Sequence, residues 1–183
     1  MRSRAEYESY LTLPQVRAAL DTIAWAEGGR SYQTLYGGGT FSGNQHPRRA
    51  ITADGYTSTA AGRYQFLAGT WSEIQRALGL TDFGPLNQDI GAVYLIDKRG
   101  DLDKLLAGDF QGMMRGLGCL WAALPYSSCG QRERGTVETM NYYRSALAVY
   151  GGTQAVANLP PASSNNGLLI GMALLLIFVL FDE

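Results

Sequence analysis

Histidine is almost missing from this chain of 183 residues, where His46 stands alone, and cysteine is limited to Cys119 and Cys129. One imidazole and two thiols do not make a four-ligand structural zinc site, nor do two cysteines make a disulfide scaffold. No metal and no cofactor is expected. A charge excess is missing as well: 15 Lys and Arg face 16 Asp and Glu, for a formal net charge of -1. That balance excludes the basic footprint of a general nucleic-acid binder, so nucleic acid is not expected as a partner. Met1 to Tyr10 holds Arg2, Arg4, Glu6 and Glu8 but no apolar run, and so lacks the h-region of a secretory signal peptide. What remains is an uncharged-on-balance chain, 46% hydrophobic, long enough for one domain with a few dozen residues over.

Periodicity divides the chain. A first helix is expected from near Thr12, with Pro14 in its first turn, where a missing N–H costs nothing. Val16, Leu20, Ile23, Ala24 and Glu27 fall on one helical stripe, which Gly28-Gly29 closes. From 30 to 56 the helical period is lost, and the aromatics around Gly37-Gly38-Gly39 predict a small β-hairpin and loops. Thr70-Trp71-Ser72-Glu73 reads as a capping box opening a helix to about Leu78. Further helices are expected at 86–99, 101–107, 110–124 (stopped by Pro125) and 136–150 (stopped by Gly151-Gly152). Residues 153–166, rich in Pro, Ser and Asn, read as a linker. Residues 167–181 follow, with 13 hydrophobic residues, two glycines and no polar side chain. The expected fold is α+β, mostly helical with a small β lobe. Its domain spans 1–152, and an apolar helix stands at the C-terminus.

Glu27 is the first candidate for chemistry. It ends an apolar stripe, so desolvation raises its pKa, and the negative end of the helix dipole acts in the same direction. A carboxyl that keeps its proton near neutrality is what general acid catalysis requires. The bland alternative is a solvated glutamate at a frayed helix end. The second candidate is the stretch Ser58-Thr59-Ala60-Ala61-Gly62-Arg63-Tyr64-Gln65. Its small residues allow close approach of a ligand, Tyr64 offers a ring face and Gln65 an amide, a mixture suited to sugars. A simple turn into the next helix is the competing reading.

Taken together these pieces resemble the lysozyme superfamily, and most closely the lambda endolysin family of lytic transglycosylases. The resemblance runs through Ile23-Ala24-Trp25-Ala26-Glu27-Gly28, Gly37-Gly38-x-x-Phe41, His46-Pro47-Arg48 and Ser58 to Gln65. It continues in Leu78-Gly79-Leu80-x-Asp82-Phe83, Gln88-Asp89, Trp121-Ala122-x-Leu124-Pro125 and Gly130-Gln131, in one order over residues 9 to 152. It implies a lysozyme-like fold and cleavage of the MurNAc-β-1,4-GlcNAc bond of peptidoglycan glycan strands, leaving a 1,6-anhydro end. Glu27 would be acid and then base, and Ser58, Gly62, Tyr64, Gln65, Tyr32 and Tyr126 would contact the sugars. Two positions depart from the pattern. Tyr32-Gln33 stands where the family has Tyr-Asp, and Cys129 stands where it has tyrosine, a packing role that Tyr126 could take over.

Other residues receive structural readings. His46 is expected to order a loop, and Trp25, Trp71 and Trp121 to sit in the core. The cysteines, ten apart, are expected to be a buried thiol (Cys119) and a loop thiol (Cys129), with pairing outside the cytoplasm as the alternative. Arg30, Arg48, Arg49 and Arg63 give residues 27 to 65 a local positive excess that could meet peptide-stem carboxylates or be plain solvated surface. Residues 167–181 would make only about 22 Å of helix, short for a bilayer, but without a polar stripe they read as a membrane anchor. An anchored enzyme with no signal peptide suggests a protein carried in the virion, beside other virion proteins, and acting in the host periplasm during wall penetration. The alternatives are an endolysin or hydrolytic muramidase acting in host lysis from the inner membrane, and a wall-binding or structural virion protein without catalysis.

Overall fold

A computed structural model describes residues 1–29, 31–130 and 132–157. Two helices with different apolar patterns frame it. Helix α2 (Pro14–Ala26) starts with Pro14 in its first turn and buries Val16, Leu20 and Ile23 along one side. Helix α4 (Pro85–Lys98) buries every residue from Asn87 to Ile96, so it runs through the interior rather than over it. Around them pack α1 (Arg4–Tyr10) and α3 (Ala68–Leu78) on α4, then α5 (Leu102–Leu106), α6 (Phe110–Leu117) and α7 (Thr136–Ala157), the last lying along α2. Leu20, Ile23, Ile74, Ile90 and Ile96 are fully buried, each contributing roughly 2 kcal/mol of transfer free energy. Phe66, Trp71 and Phe83 form an aromatic cluster beneath the β lobe, with the His46 ring against Phe83.

The β lobe is one antiparallel hairpin, β1 (Ile51–Ala53) and β2 (Tyr56–Ser58), with Ala53 opposite Tyr56. Asp54 and Gly55 join the strands, both at positive φ, the combination a two-residue hairpin turn demands. The hairpin therefore sits at the end of the 30–56 interval. Gly37-Gly38-Gly39, where it was expected to centre, forms a short 3-10 turn closed by a single Thr34–Thr40 bridge.

Four other expectations need correcting. Helix α1 was not anticipated, although Ser3 and Glu6 form a true capping box: Glu6 N–H donates to Ser3 Oγ and Ser3 N–H to the Glu6 carboxylate. The Thr70–Glu73 box is not one. Helix α3 has already begun at Ala68, whose N–H is capped from a distance by Thr59 Oγ1 (3.1 Å), while Glu73 pairs with Lys98. The helix expected over 110–124 ends at Leu117, where Gly118 takes a positive φ that breaks it. Helix α7 passes Gly151 and Gly152 and continues to Ala157, because glycine weakens a helix by about 1 kcal/mol without having to end it.

Mostly helical with a two-stranded lobe, the molecule has the expected α+β class and a lysozyme-like architecture. The rest of the expected linker and all of 167–181 lie outside the described residues. Among the described residues, no helix is long and apolar enough to cross a membrane.

If Thr59 rather than Thr70 caps α3, Thr59→Ala should cost about 1 kcal/mol in urea denaturation. Thr70→Ala should stay within about 0.5 kcal/mol of the parent.

Candidate active site

Glu27 occupies the C-cap of α2, its N–H still bonded to Ile23 O at 3.0 Å. The chain then reverses through a Schellman turn: Gly28, at φ +71°, donates to Trp25 O, and Gly29 donates to Ala24 O. Both glycines are needed, for different reasons. Gly28 supplies the left-handed conformation, whereas a Cβ on Gly29 would fall 1.8 Å from the carbonyl oxygen of Arg63. The end of α2 is thus pressed directly against the 62–65 turn.

A third segment closes the site. Trp121 Nε1–H donates to Tyr64 O (3.1 Å), and two residues on, Ala123 N–H donates to Glu27 Oε1 (3.0 Å). The Glu27 carboxyl is pushed above its ordinary pKa by desolvation, with the Ala123 N–H opposing the shift only in part. Among the described residues, no charged group contributes to that shift. The residue is partly, not fully, covered, so the carboxyl is both desolvated and reachable. This is the environment of a proton donor.

Behind the site runs a chain of polar contacts, buried at Tyr64 and Asp89 and opening to the surface at Tyr150, that sequence reasoning did not find. The Asp89 carboxylate accepts from Tyr64 Oη (2.6 Å), Tyr32 Oη (2.9 Å) and Arg17 Nη1 (2.8 Å). Arg63 bonds Tyr32 Oη and, at 2.6 Å, Asp21 Oδ1, whose other oxygen accepts from Tyr150. Arg63 also lies over the Tyr32 and Tyr64 rings. Helices α2, α4 and α7 and the 62–65 turn are tied together through these side chains. The expectation for Tyr64 must be corrected: it is fully buried, with its pKa pushed up by burial and by Asp89, and has no ring face to offer a sugar. Tyr32 is partly buried in the same network.

The remaining candidates scatter. Gln65 stands beside the site at φ +50°, its amide donating to Gly62 O. Gly62 is buried at φ +80°, and a Cβ there would meet Gln88 Oε1 at 2.2 Å, so its role is close packing. Ser58 Oγ accepts from Ala60 N–H at the end of β2. Tyr126 is exposed, with Gln111 donating to its hydroxyl and Arg115 over its ring; nothing in these contacts brings it to Glu27. Of the set, Glu27 and the backbone of the Gly62–Tyr64 turn are brought together, through Gly29, Trp121 and Ala123.

His46 orders its loop, accepting from Arg48 N–H at Nδ1 and bonding Phe66 O through Nε2. Arg48 reaches Ser72 and Gln75. Trp71 and Trp121 are core, but Trp25 is only half-buried and stacks on Tyr142. Arg30 and Gln131 lie outside the described residues. Cys119 and Cys129, expected as thiols, form a disulfide. Turns at Tyr126 and Ser128, both at positive φ, fold the chain back to bring their Cα atoms to 5.6 Å, a path that a spacing of ten does not reveal. No group of His, Cys, Asp and Glu among the described residues could hold a metal ion.

The chain has known relatives. The sequence model of the endolysin family matches residues 17–150, from the middle of α2 to α7. The chain belongs to the endolysin family. The endolysin of Escherichia phage lambda is 38% identical over 130 residues, 65% of this chain and 82% of that one. The endolysin of Escherichia phage P2 is also 38% identical, over 103 residues, 56% of this chain and 62% of that protein. Among solved structures, the bacteriophage lambda lysozyme complexed with a chitohexasaccharide superposes with a TM-score of 0.69 at 34% identity. It covers 73% of this chain and 94% of its own. The lysozyme-like fold of this endolysin-family chain is thereby placed.

The site makes a prediction about stability. A raised Glu27 pKa means the folded chain holds a proton that the unfolded chain has released, so stability is lost as pH rises from about 4.5 through the folded value. Glu27→Gln keeps the shape without the charge. Its melting temperature relative to the parent should therefore increase from pH 4 to pH 8; a difference that does not change with pH would contradict a desolvated carboxyl.

Proposed function

We propose that this endolysin-family chain cleaves the glycan strands of peptidoglycan, with Glu27 as the group that moves the proton. The observation that carries the reading is the setting of Glu27: burial and one main-chain N–H account for its shift, and among the described residues no second charge acts on it. A protonated carboxyl donates to the glycosidic oxygen between MurNAc and GlcNAc as the C1–O bond breaks. The resulting carboxylate then takes the proton of the muramyl C6 hydroxyl, whose oxygen closes on C1. The products are a GlcNAc hydroxyl and a 1,6-anhydro-muramyl end, with no water consumed. Paired-carboxylate glycosidases need a second acid about 5 to 9.5 Å away, as nucleophile or base for water. An internal nucleophile removes that need.

The similarity to a lysozyme solved with a chitohexasaccharide supports a β-1,4-linked amino-sugar chain as the ligand. Its description as a lysozyme also favours a second reading, in which water attacks and the end is reducing. The relatives are endolysins, which supports action in host lysis over the virion-borne role in wall penetration that the apolar tail suggested. Attachment to a membrane rests on residues 167–181, outside the described residues, and association with other virion proteins has no further support.

Mass spectrometry of digested walls separates the chemistries: anhydro ends are one water lighter than reducing ends. We expect anhydro ends, and reducing ends would establish the hydrolytic reading instead. Glu27→Gln should lose at least about 10²-fold in wall-clearing activity while binding walls as the parent does. Full activity in that variant would overturn the assignment.

A further inference from the structure

We propose that a groove beside Glu27, between α2 and α7, takes the carboxylate-bearing peptide stem of a muramyl residue, with Arg134 as its anion contact. The proposal rests on the glycan-cleaving reading above and names a part of the substrate that reading leaves open. The groove has a volume of about 420 Å³, room for a few residues of peptide, and is lined by Trp25, Gly28, Gly29, Arg63, Arg134 and Tyr142, among others.

Its position follows from the chain. Gly28 comes directly after Glu27. On the other wall, Arg134 N–H donates to Ala123 O (2.8 Å), and the same residue's N–H donates to Glu27. One residue, Ala123, therefore links the Glu27 carboxyl to the backbone of Arg134. In peptidoglycan the muramyl sugar of the scissile bond carries a lactyl-linked peptide with free carboxylates. That branch has to leave the cleft within a few ångströms of the bond being cut. The groove opens beside the end of α2, where Gly28 and Gly29, the two residues after Glu27, form part of its wall.

The charges in it are unequally occupied. Arg63 is committed to Asp21 and Tyr32, and the second oxygen of Asp21 accepts from Tyr150, so this pair is neutral and satisfied. Gly28 and Gly29 have spent their N–H groups on the helix end. Arg134 is different. Its guanidinium is 41% exposed, and its contact with the exposed Glu138 is a long 3.9 Å. An ion pair so open to water holds a cation weakly. The guanidinium lies 4.6 Å from the centroid of the Trp25 ring, which fixes it at the groove wall, and Trp25 stacks on Tyr142 at 4.7 Å. A cation standing over a half-exposed aromatic pair suits a short peptide with carboxylates and small side chains: charge to Arg134, methyl and methylene groups to the rings.

The test uses the enzyme on two forms of one substrate, stem-bearing glycan strands and the same strands stripped of peptide by an amidase. The parent should show a lower KM on stem-bearing strands. Arg134→Gln should raise that KM about tenfold, the loss of one charge-assisted hydrogen bond, with kcat little changed and the preference for stems erased. Arg134→Lys should recover part of the preference, as charge recognition requires and a packing role does not. Equal KM for the parent on both substrates overturns the proposal, as does an equal loss on both in Arg134→Gln. If the parent cleaves neither, the glycan-cleaving reading itself fails.

Discussion

Among the described residues, the carboxyl of Glu27 is held by one main-chain N–H, that of Ala123, so that its hydrogen-bond neighbour is a neutral dipole in place of a charge. An arginine or lysine there would stabilise the carboxylate and spoil the acid, while a second carboxylate would repel it and couple the two titrations. Holding a desolvated carboxyl with a peptide group instead requires that the peptide be positioned by something else. Trp121 does this by bonding the carbonyl of Tyr64, and the 62–65 turn in its turn is seated against Gly29, two residues beyond the glutamate. The three segments fix one another in a closed loop of contacts.

Behind that loop lie paired charges. Asp89 gathers Arg17, Tyr32 and Tyr64, and Arg63 gathers Tyr32 and Asp21, so these ionised groups are committed to structure. Burying an ion pair is a poor way to gain stability, but truncating one partner leaves the other uncompensated, which makes such a network a rigid brace. It ties α2, α4 and α7 to the turn that faces Glu27. Its apolar complement is the cluster of Phe66, Trp71 and Phe83 under the hairpin.

Much of this was legible because it is local. The stripe ending in Glu27 and the glycine stop after it follow from helix geometry, and α2 ends at Ala26 with Glu27 as its cap. What misled was local logic applied to long-range partners. Thr70 and Glu73 have the spacing of a capping box, yet Thr59, nine residues before Ala68, supplies the cap. Tyr64 in a sugar-suited motif looked like a ligand platform, but Asp89, 25 positions on, draws its hydroxyl into the core. Trp25 looked like core and instead lines a groove, since its neighbour Tyr142 comes from α7. Cys119 and Cys129 pair because of two left-handed turns between them, at Tyr126 and Ser128, residues whose identity does not announce that conformation.

The central claim is that burial keeps the Glu27 carboxyl protonated above the ordinary glutamate range. A carbon-13 NMR titration of the Glu27 side-chain carboxyl, assigned by comparison with Glu27→Gln, measures this directly. The account predicts a midpoint above that of the exposed glutamates of the same protein. A midpoint at or below theirs would contradict it.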